Sequence, residues 1–188
     1  MKNASIYIFF AFVAFLFQTT VLPELFSVLD MMLGGRFFST LSLPIITIFI
    51  IYISFTRNLL NALTWSCFLS FLFHGFGELW KYSNFFMFFT IVFFGSILKN
   101  RLVIDHKMNA FIFFFVFLFF GQWSYLFFSN LLFDFEFSFF HYFWIFTSNS
   151  FVGSFLSFGL TKLFSYIDQK TFFFRDPKAN FFYREGLL

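Results

Sequence analysis

The chain has 188 residues, 45 of them Phe, and only 11 % are charged, against roughly 25 % in an average soluble domain. A water-soluble protein of this length could not hide so much apolar surface, so a soluble globular domain is excluded and the solvent for most of the chain is read as lipid. The net charge of +3 matters less than where the charges fall.

A helix needs roughly 20 mostly apolar residues to cross about 30 Å of hydrocarbon. The chain therefore has room for about six spans and a short tail. The first apolar run is Ala4 to Leu22. Lys2 ahead of it resembles the start of a signal peptide, but the run is too long for such a core and no small-residue cleavage site follows. It is read as a retained span. The gap after it holds Pro23, Glu24, Asp30, Gly34, Gly35 and Arg36, yet also Leu25, Phe26, Val28, Leu29 and Met31 to Leu33. Two readings fit so apolar a gap: a short helix in the interface, or a loop packed on the span ends.

Span two is expected from Leu41 to Phe55, with Arg57, Asn58 and Asn61 at a tight turn. Span three runs from Leu59 to Gly77, and Glu78, Lys81, Ser83 and Asn84 follow. Span four is Phe85 to Leu98. Lys99, Asn100, Arg101, Asp105, His106, Lys107 and Asn109 form the longest polar break. Span five is Ala110 to Phe133, and span six is Phe139 to Phe164, with Asp134, Glu136 and Ser138 between them.

Lys and Arg concentrate in cytoplasmic loops. With the N-terminus inside, ten of the twelve fall in inner segments, and only Arg36 and Lys81 lie outside. Five spans would spoil that division. The expected fold is an all-α integral membrane protein of about six transmembrane helices with both termini cytoplasmic. Residues 1–164 form the six-span domain and 165–188 a basic and aromatic tail. Lys170, Arg175, Lys178 and Arg184 beside Phe172 to Phe174 suit an anionic leaflet or a cytoplasmic partner. Asp176-Pro177 argues against one helix through the whole tail.

Signatures of enzyme chemistry are missing: there is no His-Glu-x-x-His, no Gly-rich phosphate loop and no Gly-x-Ser-x-Gly. No acidic pair sits in mid-membrane, where charge is costly and is kept for function. No catalytic residue, cofactor, metal or nucleic-acid partner is expected. The single Cys67 lies in an apolar run and reads as a small buried residue. Codon bias explains the Phe excess only in part, since Ile would rise with it.

Several side chains remain as candidates for contact. His74 and Glu78 share a helix face at the outer end of span three; they form a polar cap or part of a metal site, although tight sites take three or four ligands. Asp134, Glu136 and His141 cluster at another outer turn, which is a solvated loop or an acidic docking surface. Gln18, Gln122, Asn130 and Asn149 lie within spans and want partners across helix interfaces. Gly75 and Gly77 suit a helix break. In span six, Ser150, Ser154, Ser157 and Thr161 recur at intervals of four, three and four, with Gly153 beside them. Such a small-residue stripe packs helices closely, within this chain or against another membrane protein. On the second reading, Ser154→Leu would weaken assembly and spare insertion.

The layout resembles the MreD family of bacterial rod-shape proteins. The matching features are Gln18 followed by Pro23, Leu43-Pro44 opening a span that ends at Arg57, and the stretch Phe71 to Trp80 before a span ending in Lys99 and Arg101. The closing span with Asn149, then Lys162 and Asp168, matches too. The likeness covers roughly residues 4 to 170. At the third turn His74-Gly75-Phe76-Gly77 replaces the usual acid and proline, and Pro44 lacks the Asp that commonly follows. The resemblance implies a non-catalytic scaffold of the wall-elongation machinery in the inner membrane. Its partners would be membrane lipid, an MreC-like single-span protein, a wall glycosyltransferase and transpeptidase, and MreB filaments.

The expected partner contacts are Ser150, Gly153, Ser154, Ser157, Thr161, His74, Glu78, Asp134 and Glu136. The alternative is a substrate-binding subunit of an energy-coupling vitamin transporter, with Trp80, His74, Gln122, Trp123 and His141 forming an outer pocket.

Overall fold

The structure is a computed structural model that describes residues 2–33, 42–75, 83–99, 107–133 and 138–171. All of its regular elements are helical. They are α1 (Lys2–Leu16), a π-helical turn (Phe17–Val21), α2 (Leu22–Leu33), α3 (Ile45–Thr56), α4 (Leu59–Gly75), α5 (Ser83–Leu98), α6 (Lys107–Phe133) and α7 (Phe139–Thr171). The first three abut, so the described residues make six helical rods. Glu78, Asp134, Glu136, Gly77, Trp80 and the tail beyond Thr171 lie outside the described residues, as does the side chain of His74.

The first rod corrects the expectation for the stretch after Leu22. The chain neither breaks into a separate interfacial helix nor collapses into a loop there; it stays helical to Leu33. Pro23 has no N–H, and its ring crowds the carbonyl four residues back. The π turn absorbs this: the Leu22 N–H reaches back five residues to the Phe17 carbonyl. The Thr19 and Thr20 hydroxyls donate to the Phe15 and Leu16 carbonyls at 2.8 and 2.5 Å, which keeps the turn supplied with hydrogen bonds.

Helix α3 is the hub. Its sequence, Ile-Ile-Thr-Ile-Phe-Ile-Ile-Tyr-Ile-Ser-Phe-Thr, is apolar all round, and all twelve residues are buried. Rods from both ends of the chain surround it. Phe49 is enclosed by Tyr7, Trp65 and Phe164, with ring centroids 5.8, 5.6 and 5.2 Å away. Aromatic pairs at such distances add about 0.5–1.5 kcal/mol each beyond the area they bury. Gly95 of α5 lets that helix close on α3: a Cβ there would sit 2.9 Å from the Ser54 Cβ and 3.3 Å from the Phe55 ring.

Two helical stretches, Ser5–Leu33 and Met108–Leu132, are long and apolar enough to cross a membrane. Helix α3 is about 18 Å long, at about 1.5 Å per residue, and is a shorter apolar helix, as are Leu59–Phe73 and Ser83–Leu98. The end of span six also needs correction. Helix α7 does not stop at Phe164 but continues to Thr171, with Ser165 and Asp168 buried. The expected boundary between bundle and tail therefore falls inside a helix that Asp168 ties to the core.

The polarity of the molecule is inverted relative to a soluble protein. Phe9, Met31, Phe120 and Phe140 are 70, 80, 65 and 78 % exposed, whereas Arg57, Asp168, Ser150, Ser154 and Ser157 are buried. Cys67, expected inside, is exposed on α4.

Candidate functional site

The most polar part of the interior lies where α1, α3 and α7 meet at the end carrying Arg57. Helix α3 ends there because Arg57 leaves the helical region, with φ −119° and ψ 164°, while its N–H still bonds the Ile53 carbonyl at 2.9 Å. The extended backbone turns the guanidinium back under the bundle. There it forms an ion pair with Asp168 of α7, and both side chains are almost fully enclosed.

The same carboxylate accepts two phenol hydroxyls. Tyr7 of α1 donates to Oδ1, and Tyr52 of α3 donates to Oδ2 at 2.7 Å. The Arg57 guanidinium carbon also lies 5.9 Å from the centre of the Tyr7 ring, within cation–π range. Lys99, just past α5, donates from Nζ to the Arg57 carbonyl at 3.1 Å. One carboxylate thus collects donors from two other helices, and α5 is tied in through the backbone.

Taking two charges out of water costs several kcal/mol per ion, and attraction repays it only when the remaining hydrogen-bonding capacity is met. The two tyrosines meet it for Asp168. Chemically, the arrangement holds a neutralised charge pair in a fixed position between three helices.

A second set of polar contacts lies toward the other end of α3. Pro44 precedes α3 and provides no side-chain cap. Gln18 supplies one from the π-helical turn, its Oε1 accepting the Ile46 N–H at 3.0 Å. Asn149 of α7 holds the segment before it, accepting the Ser42 N–H at 3.0 Å and donating to the Ser42 Oγ at 3.1 Å. Gln122 of α6 donates to the Ser150 Oγ at 3.1 Å. The span-internal amides expected to seek cross-helix partners therefore include three that find them. Gln18→Leu should lower stability by about 0.6–1.7 kcal/mol, the range for such bonds between membrane helices. Thermal unfolding in mild detergent checks this, with Gln18→Glu as the variant that retains an acceptor.

The small-residue stripe of α7 is not open to a partner, which corrects the reading of Ser150, Gly153, Ser154, Ser157 and Thr161 as a docking face. The four hydroxyl residues are at most 6 % exposed. Their hydroxyls are used within the chain: Ser154, Ser157 and Thr161 donate to carbonyls of Ser150, Ser154 and Ser157 at 2.6, 2.6 and 2.7 Å. Gly153 faces Pro44 and Leu118, either of which a Cβ would meet at 2.7 Å. Small side chains let α7 approach α3 and α6, so the stripe is spent on this chain's own packing.

The outer-pocket residues do not gather on one cavity among the described residues. Gln122 bonds α7, Trp123 packs on Phe139 and Phe146 at 5.0 and 5.6 Å, and His141 is exposed. Among the described residues no three His, Cys, Asp or Glu side chains converge as metal ligands. Contacts of His74, Glu78, Asp134 and Glu136 fall outside what is described.

Sequence reasoning placed Arg57 at a turn and Asp168 in the tail without joining them, and it passed over Tyr7. A signal for both was present. The α7 stripe continues past Thr161 through Ser165 to Asp168 at intervals of four and three, and Tyr7, Ala11, Ala14 and Gln18 repeat the interval along the first rod.

Fold and site together define an all-α bundle with an apolar exterior, joined internally by a buried ion pair and amide clamps. Compared with family models, curated proteins and solved structures, the chain matches none of them.

Proposed function

We propose that this chain is a six-span protein of the bacterial inner membrane, with both ends cytoplasmic, that acts as a non-catalytic scaffold of the wall-elongation machinery. The observation that supports it best is the inverted polarity: large apolar side chains on the outside, and charges and hydroxyls bonded to one another inside. That is the arrangement a bundle needs in lipid, where an unsatisfied polar group costs several kcal/mol. The positive-inside distribution sets the orientation. The likeness to the MreD family supplies the role. It names an MreC-like single-span protein as direct partner, with wall glycosyltransferase, transpeptidase and MreB filaments in the same assembly.

With α7 turned inward, partner contact moves to the first rod. Its exposed apolar residues run from Phe9 through Val13, Phe17, Val21, Leu25 and Val28 to Met32. The 32-residue rod is about 48 Å long. It exceeds the hydrocarbon thickness of about 30 Å, so its far end is free to follow a partner helix beyond the bilayer. Leu25→Glu with Met32→Glu should abolish co-purification of the single-span partner and leave the melting temperature unchanged. Pull-down from the native host followed by mass spectrometry reads the first, and thermal unfolding the second. Recovery of paired ATPases and a coupling subunit instead would overturn the scaffold in favour of vitamin uptake.

A further inference from the structure

The side of α7 opposite its small-residue stripe is open along most of its length. Trp144, Phe151, Phe155, Gly159, Lys162 and Tyr166 are exposed there at intervals of seven, four, four, three and four, so they line one face of the helix. A Cβ at Gly159 would meet nothing within 4 Å. The chemistry changes along this face. Between Trp144 and Tyr166 the chain has no Trp or Tyr, and its rings are all Phe. Lys162 is the one charged residue in that interval. It makes no hydrogen bond or ion pair among the described residues.

Distance and charge define what covers it. At about 1.5 Å per residue, Trp144 stands about 27 Å from Lys162 and about 33 Å from Tyr166. Those values bracket a hydrocarbon thickness of about 30 Å. Trp and Tyr favour membrane–water interfaces, where the ring is in apolar surroundings and its N–H or O–H is wet. A Lys one turn inside such a boundary lays its stem in lipid and reaches the headgroups with its ammonium. This cation stands at the end where the distribution of Lys and Arg puts the cytoplasm, and the cytoplasmic leaflet is anionic. An apolar face of this length, with polar-tipped aromatics at both ends and a cation at the inner one, fits a bilayer in a single register.

We infer that this face of α7 is the lipid-contact surface that sets the depth of the bundle, with the Trp144 indole among the outer headgroups and Lys162 and Tyr166 among the anionic inner ones. This rests on the membrane placement proposed above and is independent of the scaffold role. Asp168 follows closely after Tyr166, so the Arg57–Asp168 pair lies at the level of the inner headgroups and not in mid-membrane. Tyr7 bonds Asp168, so the first rod begins its crossing at the same level. About 30 Å along that rod brings it to Ser27, which leaves the exposed Met31 and Met32 beyond the hydrocarbon on the outer side.

Spin labels on the full chain, reconstituted in vesicles of phosphatidylethanolamine and phosphatidylglycerol, test this. The readout is collision with oxygen, which concentrates in lipid, and with a water-soluble nickel chelate. Cys67, exposed midway along α4, takes the label in the wild type without any substitution. There the label should collide with oxygen and not with nickel. In a Cys67→Ser background, labels introduced by Phe151→Cys and Phe155→Cys should behave in the same way. Nickel collisions should return at Trp144→Cys and Tyr166→Cys. Free access of nickel to the label on Cys67 would sink the membrane placement itself. With Cys67 in lipid, exclusion of both reagents at Phe151→Cys and Phe155→Cys would overturn lipid contact in favour of a protein cover. Nickel reaching Phe155→Cys, or failing to reach Trp144→Cys or Tyr166→Cys, would overturn the register.

Discussion

Asp168→Ala will destabilise the bundle more than any substitution on its surface. Asp168 neutralises Arg57 in a place almost closed to solvent, and it accepts the hydroxyls of Tyr7 and Tyr52. Its removal leaves a buried guanidinium without its counter-ion, which costs about 3–5 kcal/mol. Against a total stability of about 5–15 kcal/mol this is a large fraction. Two phenol groups lose this carboxylate as acceptor in the same step. Arg57→Ala should cost a similar amount, since it leaves the carboxylate uncompensated.

The double variant Arg57→Met with Asp168→Leu should recover the part of the loss due to the unpaired charge, because well-packed apolar pairs replace buried ion pairs at little cost, while Tyr7 and Tyr52 still lack the carboxylate. A double-mutant cycle on thermal unfolding in mild detergent measures the coupling. If Asp168→Ala melts with the wild type, the pair does not hold α7 to α3, and the reading of this site as a lock fails.

That lock explains which parts of the molecule could be seen in the sequence. Long apolar runs announce apolar helices, so the number and rough limits of the rods were legible, from Leu59 and Leu98 to Phe133 and Phe139. Continuity of the first rod was not, because Pro23 and Glu24 look like a gap. Whether a proline breaks a helix depends on whether the preceding turn can widen, and here Thr19 and Thr20 made that possible. The extent of α7 was hidden for a related reason. Lys162, Asp168 and Lys170 give the look of a solvated tail, and only the third dimension shows Asp168 facing Arg57, 111 positions away.

The small-residue stripe was legible as a close-packing surface, but composition cannot say whether the neighbour belongs to the same chain. Its neighbours, Pro44 just before α3 and Leu118 of α6, come from two separate parts of the chain. No local pattern could have joined them to Gly153.

The inward position of that stripe reverses the expectation for Ser154. Ser154→Leu should damage the protein itself rather than its assembly. The side chain is fully buried, its hydroxyl lies 2.6 Å from the Ser150 carbonyl, and its neighbour Gly153 already stands against Pro44. Extra methylenes in a filled interior force shifts that typically cost about 1–3 kcal/mol. Ser154 is fully enclosed, so α7 must shift to admit the larger side chain, which would disturb the Asn149 clamp on Ser42 and the Gln122 bond to Ser150.

Ser154→Ala keeps the close approach and should melt within about 1 kcal/mol of the wild type, since it removes only a hydroxyl bonded to its own helix. Melting and the yield of monodisperse protein in detergent separate the two variants. Were Ser154→Leu to fold normally and lose only its co-purifying partners, α7 would have to present that face outward, and the packing of α7 on α3 and α6 described above would be wrong.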